Sequence, residues 1–396
     1  MVNIKKINNE SYEKNHSHAM CGESILTPNA NKTDCNRLQM FTNNIMQCVQ
    51  TVGNEPPYVF SGFENQVGKY STGYKFIKGE WKILKRIYKN KYNYILIIQN
   101  NETKEYDILY RKTAEWLTEH FGYKNKNGVI DRLKEGDMID NIVISRNLNY
   151  DNVMNFQYGV NLNALYIPFA GYTNEDAIVI SESTAEKMSS FFVKKIEVNV
   201  NTNDILCNIY GDDDFYKTFP DIGEDIKDSI LIARRRINYS NNIYNLKDLS
   251  VIKDDDDITY FKGKIIDIDI FSNCPIEKMK DQQYNKQVYS YLIKLKKYYK
   301  EIIDFLGKIR EEDKECIFSD DLMAEYNRCL QLSDPEAVLD SDGRIFDNYV
   351  IKFTIMYKKP LIYGSKLTGR YGRNNLIMFL GIIFYILTKR GEYNYK

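Results

Sequence analysis

GVNLNALYIPFAGYTNEDAIVISE, residues 159–182, is the stretch on which the reading of the fold turns. It contains two strand-like apolar segments around a Gly171-Tyr172 turn, the second of them rich in β-branched residues. Two adjacent carboxylates, Glu175 and Asp176, stand between the turn and that second segment. On a strand, neighbouring side chains point to opposite faces and cannot share one ion, whereas in a turn they can converge. Upstream, from Tyr58 to about Ile144, aromatic and β-branched runs such as YNYILIIQN and YDILY alternate with turn formers, so the region reads as mostly β. Further upstream, Leu38, Met40, Phe41, Ile45, Met46 and Val49 give residues 33–50 the spacing of a helix with one apolar face. Downstream the chain becomes polar near residue 200. Gln283 to Ile309 then shows helical spacing with a Lys-rich opposite face, Tyr349–Tyr357 reads as a strand, and 364–373 as a Gly- and basic-rich loop. The fold class is α+β: a β-rich body interrupted by an insertion at roughly 190–345.

Composition narrows the function only by exclusion. Lys+Arg and Asp+Glu are both 54, so any basic surface comes from local clustering. The seven cysteines form no CxxC pair, which fits neither a zinc knuckle nor a disulfide framework and suits a reducing cytosol. Residues 1–18 carry no apolar core of a signal peptide. The apolar run Leu376–Leu387 is twelve residues long, short of the ~20 that a membrane span needs, and reads as a buried strand or helix. There is no phosphate loop and no HExxH, and His16 and His18 lie in a polar stretch. The acid runs Asp212–Asp214 and Asp254–Asp257 read as solvated loops, and Asp340-Ser341-Asp342-Gly343 as a turn.

Three segments carry a family resemblance. Asp34-Cys35-Asn36-Arg37, followed by Met40, Asn43, Gln47 and Val49 and preceded by Pro28, resembles D-A-N-R-x-x-M-x-x-N-x-x-x-Q-x-V of the β subunit of multisubunit DNA-dependent RNA polymerases. Gly159 to Glu182 resembles that family's G-x-N-x(6)-P-x-x-G-Y-x-x-E-D-[SA]-I-[LV]-[IV]-S-E without a gap, and GSKLTGRYG at Gly364–Gly372 resembles G-D-K-x-x-G-R-H-G-N-K-G. Weaker echoes, Ser61-Gly62-Phe63-Glu64 and Leu133-Lys134-Glu135-Gly136-Asp137, fall between them in the family's order. The resemblance covers about residues 19–372 and is that of a C-terminal-half fragment, as in the split β subunits of large-genome bacterial viruses. It implies a double-psi β-barrel region with a flap-like insertion containing a long helix. The segments would be 1–55 (first barrel and active-centre segment), 56–158 (β-rich), 159–190 (barrel), 191–345 (flap-like), 346–372 (barrel) and 373–396 (a tail unlike the family).

Nucleotide addition requires positioning and neutralisation of phosphate charge around magnesium. The resemblance implies that a β′-type partner holds Mg2+ in an N-A-D-F-D-G-D loop, which this chain lacks, and that the β side supplies cations. Arg37 would offer its planar fork to the triphosphate, and Lys366 a point charge to the RNA 3′ end or α-phosphate. Glu175 and Asp176 would lie near the second magnesium, Asp176 as an outer-shell group. Gln47 and Asn43 would bond the RNA backbone, and Arg370 would be structural or face the RNA–DNA hybrid. The implied partners are β′-type fragments, other β fragments, DNA template, RNA–DNA hybrid and NTPs, with no membrane, in the cytoplasm (of an infected bacterium if the chain is viral); alone the chain would be inactive.

After Gly372 the resemblance stops inside a motif. Asn374 stands where the family has a second active-site lysine, and the expected barrel strand is replaced by unrelated sequence. This suggests a gene interrupted near Gly372 or Arg373, for instance by an intron, with the tail read through. Two rival readings follow: a non-catalytic nucleic-acid-binding or assembly module, and an inactive truncated product.

Overall fold

A computed structural model gives the structure of residues 22–27, 30–46, 50–58, 60–65, 74–118, 121–145, 150–151, 153, 155–157, 159–165, 167–169, 177–212, 214–237, 249–273, 276–333, 348–371 and 377–387. The described strands are β1 Tyr74–Tyr88, β2 Tyr94–Asn100, β3 Tyr106–Arg111, β4 Ala114–Thr118, β5 Phe121–Lys124, β6 Met138–Ser145, β7 Ala177–Ser181, β8 Ser190–Val200, β9 Asp204–Leu206, β10 Ile230–Arg236, β11 Asp257–Tyr260, β12 Lys264–Ser272, β13 Tyr349–Lys359, β14 Lys366–Tyr371 and β15 Ile377–Leu387. The longer helices are α1 Cys35–Met46, α2 Glu182–Lys187, α3 Ile276–Asp281, α4 Lys286–Glu312 and α5 Asp320–Ser333. The chain is thus a β-rich mixture of α and β, and the described strands make open sheets with no closed barrel among them. It divides into two compact units. One comprises Met1–Lys75, Ser145–Phe191 and Lys359–Lys396, the other Phe76–Ile144 and Phe192–Lys358.

In the second unit, β3-β2-β1-β6 form a four-stranded sheet. The run YILIIQN of β2 is apolar on both faces because both are covered. Ile95 and Ile97 join one core cluster, while Leu96 and Ile98 join another with Trp81, Ile83 and Leu109. A bulge between Ile83 and Lys85 lets Ile87 reach the first cluster although Ile83 belongs to the second. The helix α4 buries Val288, Tyr291, Leu292, Leu295, Tyr298, Tyr299, Ile302, Leu306 and Ile309, steps of three and four that make one stripe. That stripe packs into the cluster holding Ile268 and Ile270 of β12, Ile351 and Phe353 of β13, and Leu322 and Cys329 of α5. Gln287 fixes the start of α4: its Oε1 accepts from the Thr218 amide at 2.9 Å and its Nε2 donates to the Phe219 carbonyl at 2.9 Å. No helix among the described residues is long and apolar enough to cross a membrane.

Two charge clusters, one half-buried and one buried, lie within this unit. Lys89 lies 2.7 Å from Asp267 and 2.6 Å from Asp269, carboxylates two residues apart on β12. Arg235 pairs with Asp256 through Nε–Oδ1 at 2.7 Å and Nη2–Oδ2 at 2.8 Å, with side chains only 5% and 1% exposed. Asp256 corrects the expectation that the run Asp254–Asp257 is wholly solvated. One of its acids turns inward because a guanidinium and the Lys253 amide, 2.8 Å away, satisfy it. Burial, the largest single influence, would raise the Asp256 pKa, but the Arg235 fork together with the Lys253 amide and ammonium outweighs it and the net shift is downward. Its contribution to stability is therefore complete above about pH 4, the unfolded carboxylate range, and is lost as pH falls through the lower folded value. Urea melts of the protein and of Asp256→Asn should differ by a constant amount from pH 7 to about pH 5 and converge below about pH 4. A gap that widens on acidification would contradict this assignment.

In the first unit, β14-β15-β7 form a three-stranded sheet in which β15 is central, antiparallel to β14 and parallel to β7. The apolar run near the C-terminus is therefore a strand, and a strand does follow the third motif. The Gly-rich stretch expected as a loop is itself largely strand, β14.

Candidate phosphate-contacting site

The first unit gathers the three motif segments, which lie as much as ~330 residues apart in sequence. Each is shaped by a local device. Asp34 caps α1: its Oδ2 accepts from the amides of Asn36 at 3.1 Å and Arg37 at 3.3 Å, satisfying donors that the first turn leaves open. The helix buries Phe41 and Thr42 and leaves Asn36, Arg37 and Asn43 exposed. Thr42 is tied to Ser24 by a buried hydroxyl contact of 2.9 Å. Arg37 thus occupies the first turn of a helix whose start is fixed by the aspartate three residues before it. Asp34→Ala should cost about 1 kcal/mol of local helix stability, read as faster amide exchange at Asn36 and Arg37. Unchanged exchange there would remove the cap from the account.

Between the first and second motifs stands a clasp that sequence reading did not reveal. The Glu55 amide donates to the Gly159 carbonyl at 2.6 Å, and its carboxylate accepts from the Asn161 amide at 2.9 Å. The Asn161 side chain in turn donates to the Pro56 carbonyl at 2.9 Å. Lys187, at the end of α2, meets Glu55 at 2.6 Å. Hydrogen bonding to Lys187, then to the Asn161 amide, draws the Glu55 pKa below its ordinary value. The Gly-x-Asn opening of the second motif is in this way a tether to the first segment. A lone glutamate before two prolines carries no pattern that would have announced it. Ser61-Gly62-Phe63-Glu64 is likewise structural: buried Glu64 accepts from the amides of Ser61 at 2.6 Å and Gly62 at 2.9 Å.

The second and third motifs meet across the sheet. Lys366 pairs with Ile382 of β15, and Ile382 pairs on its other side with Ala177 of β7. The three lie in one row, so Lys366 and Ala177 are two strand spacings apart, about 10 Å. Leu367 packs with Ile178, Ile180, Ala185 and Leu361 in a small apolar cluster. Alternation along the strand therefore directs Lys366 away from that cluster, and it is exposed. A turn sets its position: the Ser365 amide donates to the Ile362 carbonyl at 3.1 Å, and Gly364 takes φ +83°, which side-chain-bearing residues rarely adopt. Ser181 caps α2, its Oγ accepting from the Thr184 amide at 3.2 Å.

Of the residues expected at the site, Arg37, Asn43 and Lys366 are thus exposed on the unit that contains all three motifs. Among the described residues neither Arg37 nor Lys366 is engaged in an ion pair. Arg370 lies in β14 opposite Met378. Glu175, Asp176 and Gln47 fall outside the described residues, as does Asn374; β7 begins at the residue after Asp176. Among the described residues no three His, Cys, Asp or Glu side chains converge on a point where an ion would fit. Arg37 and Lys366 are exposed cations, groups able to pair with phosphate oxygens.

No family model matches the sequence. Three curated proteins are similar to part of it, each a DNA-directed RNA polymerase subunit beta. That of Corynebacterium urealyticum is 24% identical over 206 residues, 51% of this chain and 16% of the relative. That of Carsonella ruddii is 26% identical over 212 residues, 48% of this chain and 15% of the relative. That of Karelsulcia muelleri is 26% identical over 195 residues, 47% and 14% respectively. The matched part is thus about half of this chain and about a seventh of each relative, and over that half the chain is β-subunit-like.

Proposed function

We propose that this chain is a β-subunit fragment of a multisubunit DNA-dependent RNA polymerase, a nucleotidyltransferase subunit inactive on its own. It presents cations to the NTP and the RNA 3′ end in an active centre shared with a β′-type subunit. The observation that carries the reading is the convergence of three motif segments in one compact unit, with Lys366 in the same sheet row as the residue that follows Glu175 and Asp176. Arg37 neutralises triphosphate charge through its fork and Lys366 holds the α-phosphate or the 3′ oxygen. Both interactions grow as charge develops in the transition state. Asn43, Gln47 and Arg370 steady the RNA or the hybrid. Glu175 and Asp176 act on the magnesium side as outer-shell groups. The ions themselves belong to the β′-type partner, and no step is assigned to metal bound by the described residues. In this reading the first unit is part of a double-psi barrel completed by other β fragments, the second unit holds the flap-like insertion, and the chain works in the cytoplasm, in an infected bacterium if it is viral.

The test is proximity. In a complex recovered through a tag on this chain and given template and NTPs, an RNA with a photoreactive 3′-terminal nucleotide should crosslink to the peptide spanning Gly364–Arg370. Crosslinks confined to other subunits or to the second unit would contradict the assignment.

A further inference from the structure

In the second unit, one face of α4 carries a row of lysines that make no ion pair among the described residues, although the Lys294 ammonium lies 5.2 Å from the centre of the Tyr291 ring. Residues 286–300, KQVYSYLIKLKKYYK, contain five lysines and no acid; the acids Glu301 and Asp304 begin only beyond Lys300. Lys286, Lys294, Lys297 and Lys300 are exposed along one face, and Lys296 is half-buried beside them. Among the described residues none of the four exposed lysines is engaged in an ion pair. Lys294, Lys297 and Lys300 follow one another at i, i+3 spacing, where like charges repel and cost about 0.2–0.5 kcal/mol per pair. Lys286 sits in the first helical turn, where the helix dipole disfavours a cation. The stripe weakens the helix that bears it, offset only in part by the Lys294 contact with the Tyr291 ring and by Glu301 and Asp304, one turn beyond Lys297 and Lys300.

We infer that this stripe, about 21 Å long at 1.5 Å per residue, binds the phosphate backbone of duplex DNA. Charge complementarity supplies the attraction: a duplex carries about one negative charge per 1.7 Å of its axis. A duplex is favoured over a single strand because non-specific single-strand sites add exposed aromatic platforms to their cations. Here Tyr291, Tyr298 and Tyr299 are buried, and Tyr289 packs against the core. The one amide among these lysines, Gln287, is spent on Thr218 and Phe219, and lysines on a rigid rod read no bases, so the contact is independent of sequence.

The inference goes beyond the polymerase reading and is tested on the chain alone, so either can fail without the other. Fluorescence anisotropy with a labelled 20-base-pair duplex should give a plot of log K against log salt with a slope of about −3 to −4, near 0.9 per phosphate neutralised. Lys294→Gln/Lys297→Gln/Lys300→Gln should reduce the slope by about 3, one per lysine, while unfolding at the same or a higher temperature because the repulsion is relieved. The corresponding triple arginine variant should keep the original slope. Three results would overturn the inference. These are an unchanged slope in the glutamine variant, a single-stranded 20-mer bound as tightly as the duplex, or a poly-glutamate peptide that outcompetes the duplex at equal salt, which would assign the stripe to an acidic protein.

Discussion

Replacing Lys366 by alanine in the assembled complex is expected to slow ribonucleotide addition about 100-fold, the scale of losing one preorganised charge contact to a developing oxyanion. The yield of complex should be unchanged. Lys366 is exposed, and it opens β14 immediately after the Gly364 turn, where its neighbour Leu367 makes the packing contact. Removing its side chain therefore takes away charge without taking away core. Single-turnover extension of a stalled RNA measures the rate, and size-exclusion chromatography the yield. Equal loss of both would make the lysine a structural residue. Arginine at the same position should restore only part of the rate, because a planar fork replaces a compact point charge.

The largest effect on stability is expected from Lys89→Met. The ammonium is mostly buried and faces both Asp267 and Asp269. Removing it leaves two like charges in a poorly solvated place, which typically costs ~3–5 kcal/mol. The pH dependence follows from the sign of the shifts. Burial, opposed by Lys89, leaves the Asp267 pKa above its ordinary value, and the neighbouring Asp269 carboxylate adds to the rise. Without the lysine that rise grows, so the folded variant binds a proton more tightly than the unfolded chain does. Its deficit should be largest at neutral pH and shrink as pH falls toward about 5. Denaturant melts at the two pH values decide the matter, and a deficit independent of pH would mean that the lysine contributes packing and not charge.

These two sites differ in how far they were legible in the sequence. Lys366 and Arg37 stand in motifs whose spacing survives in one dimension, and α4 announces itself by steps of three and four. The ion clusters did not announce themselves. Lys89 meets its carboxylates across about 180 residues, and Asp256 is hidden in a run of four acids whose neighbours face water. Leu376–Leu387 was readable as buried, but its place between β14 and β7 depends on long-range pairing that periodicity does not encode. The glycines of GSKLTGRYG point toward a loop because they weaken strands. Pairing with β15 overrides that preference. Glu55 was missed for a related reason: its three partners, Gly159, Asn161 and Lys187, lie more than a hundred residues away.

The central claim is that this chain supplies part of a polymerase active centre. Omission tests it most directly. The complex recovered through a tag on this chain is dissociated and rebuilt with and without the chain, and both preparations are given DNA template, magnesium and labelled ribonucleotides. The account predicts template-dependent RNA synthesis only when the chain is present, with Lys366→Ala failing to restore it to the normal rate. Full synthesis by the complex rebuilt without the chain would contradict the account.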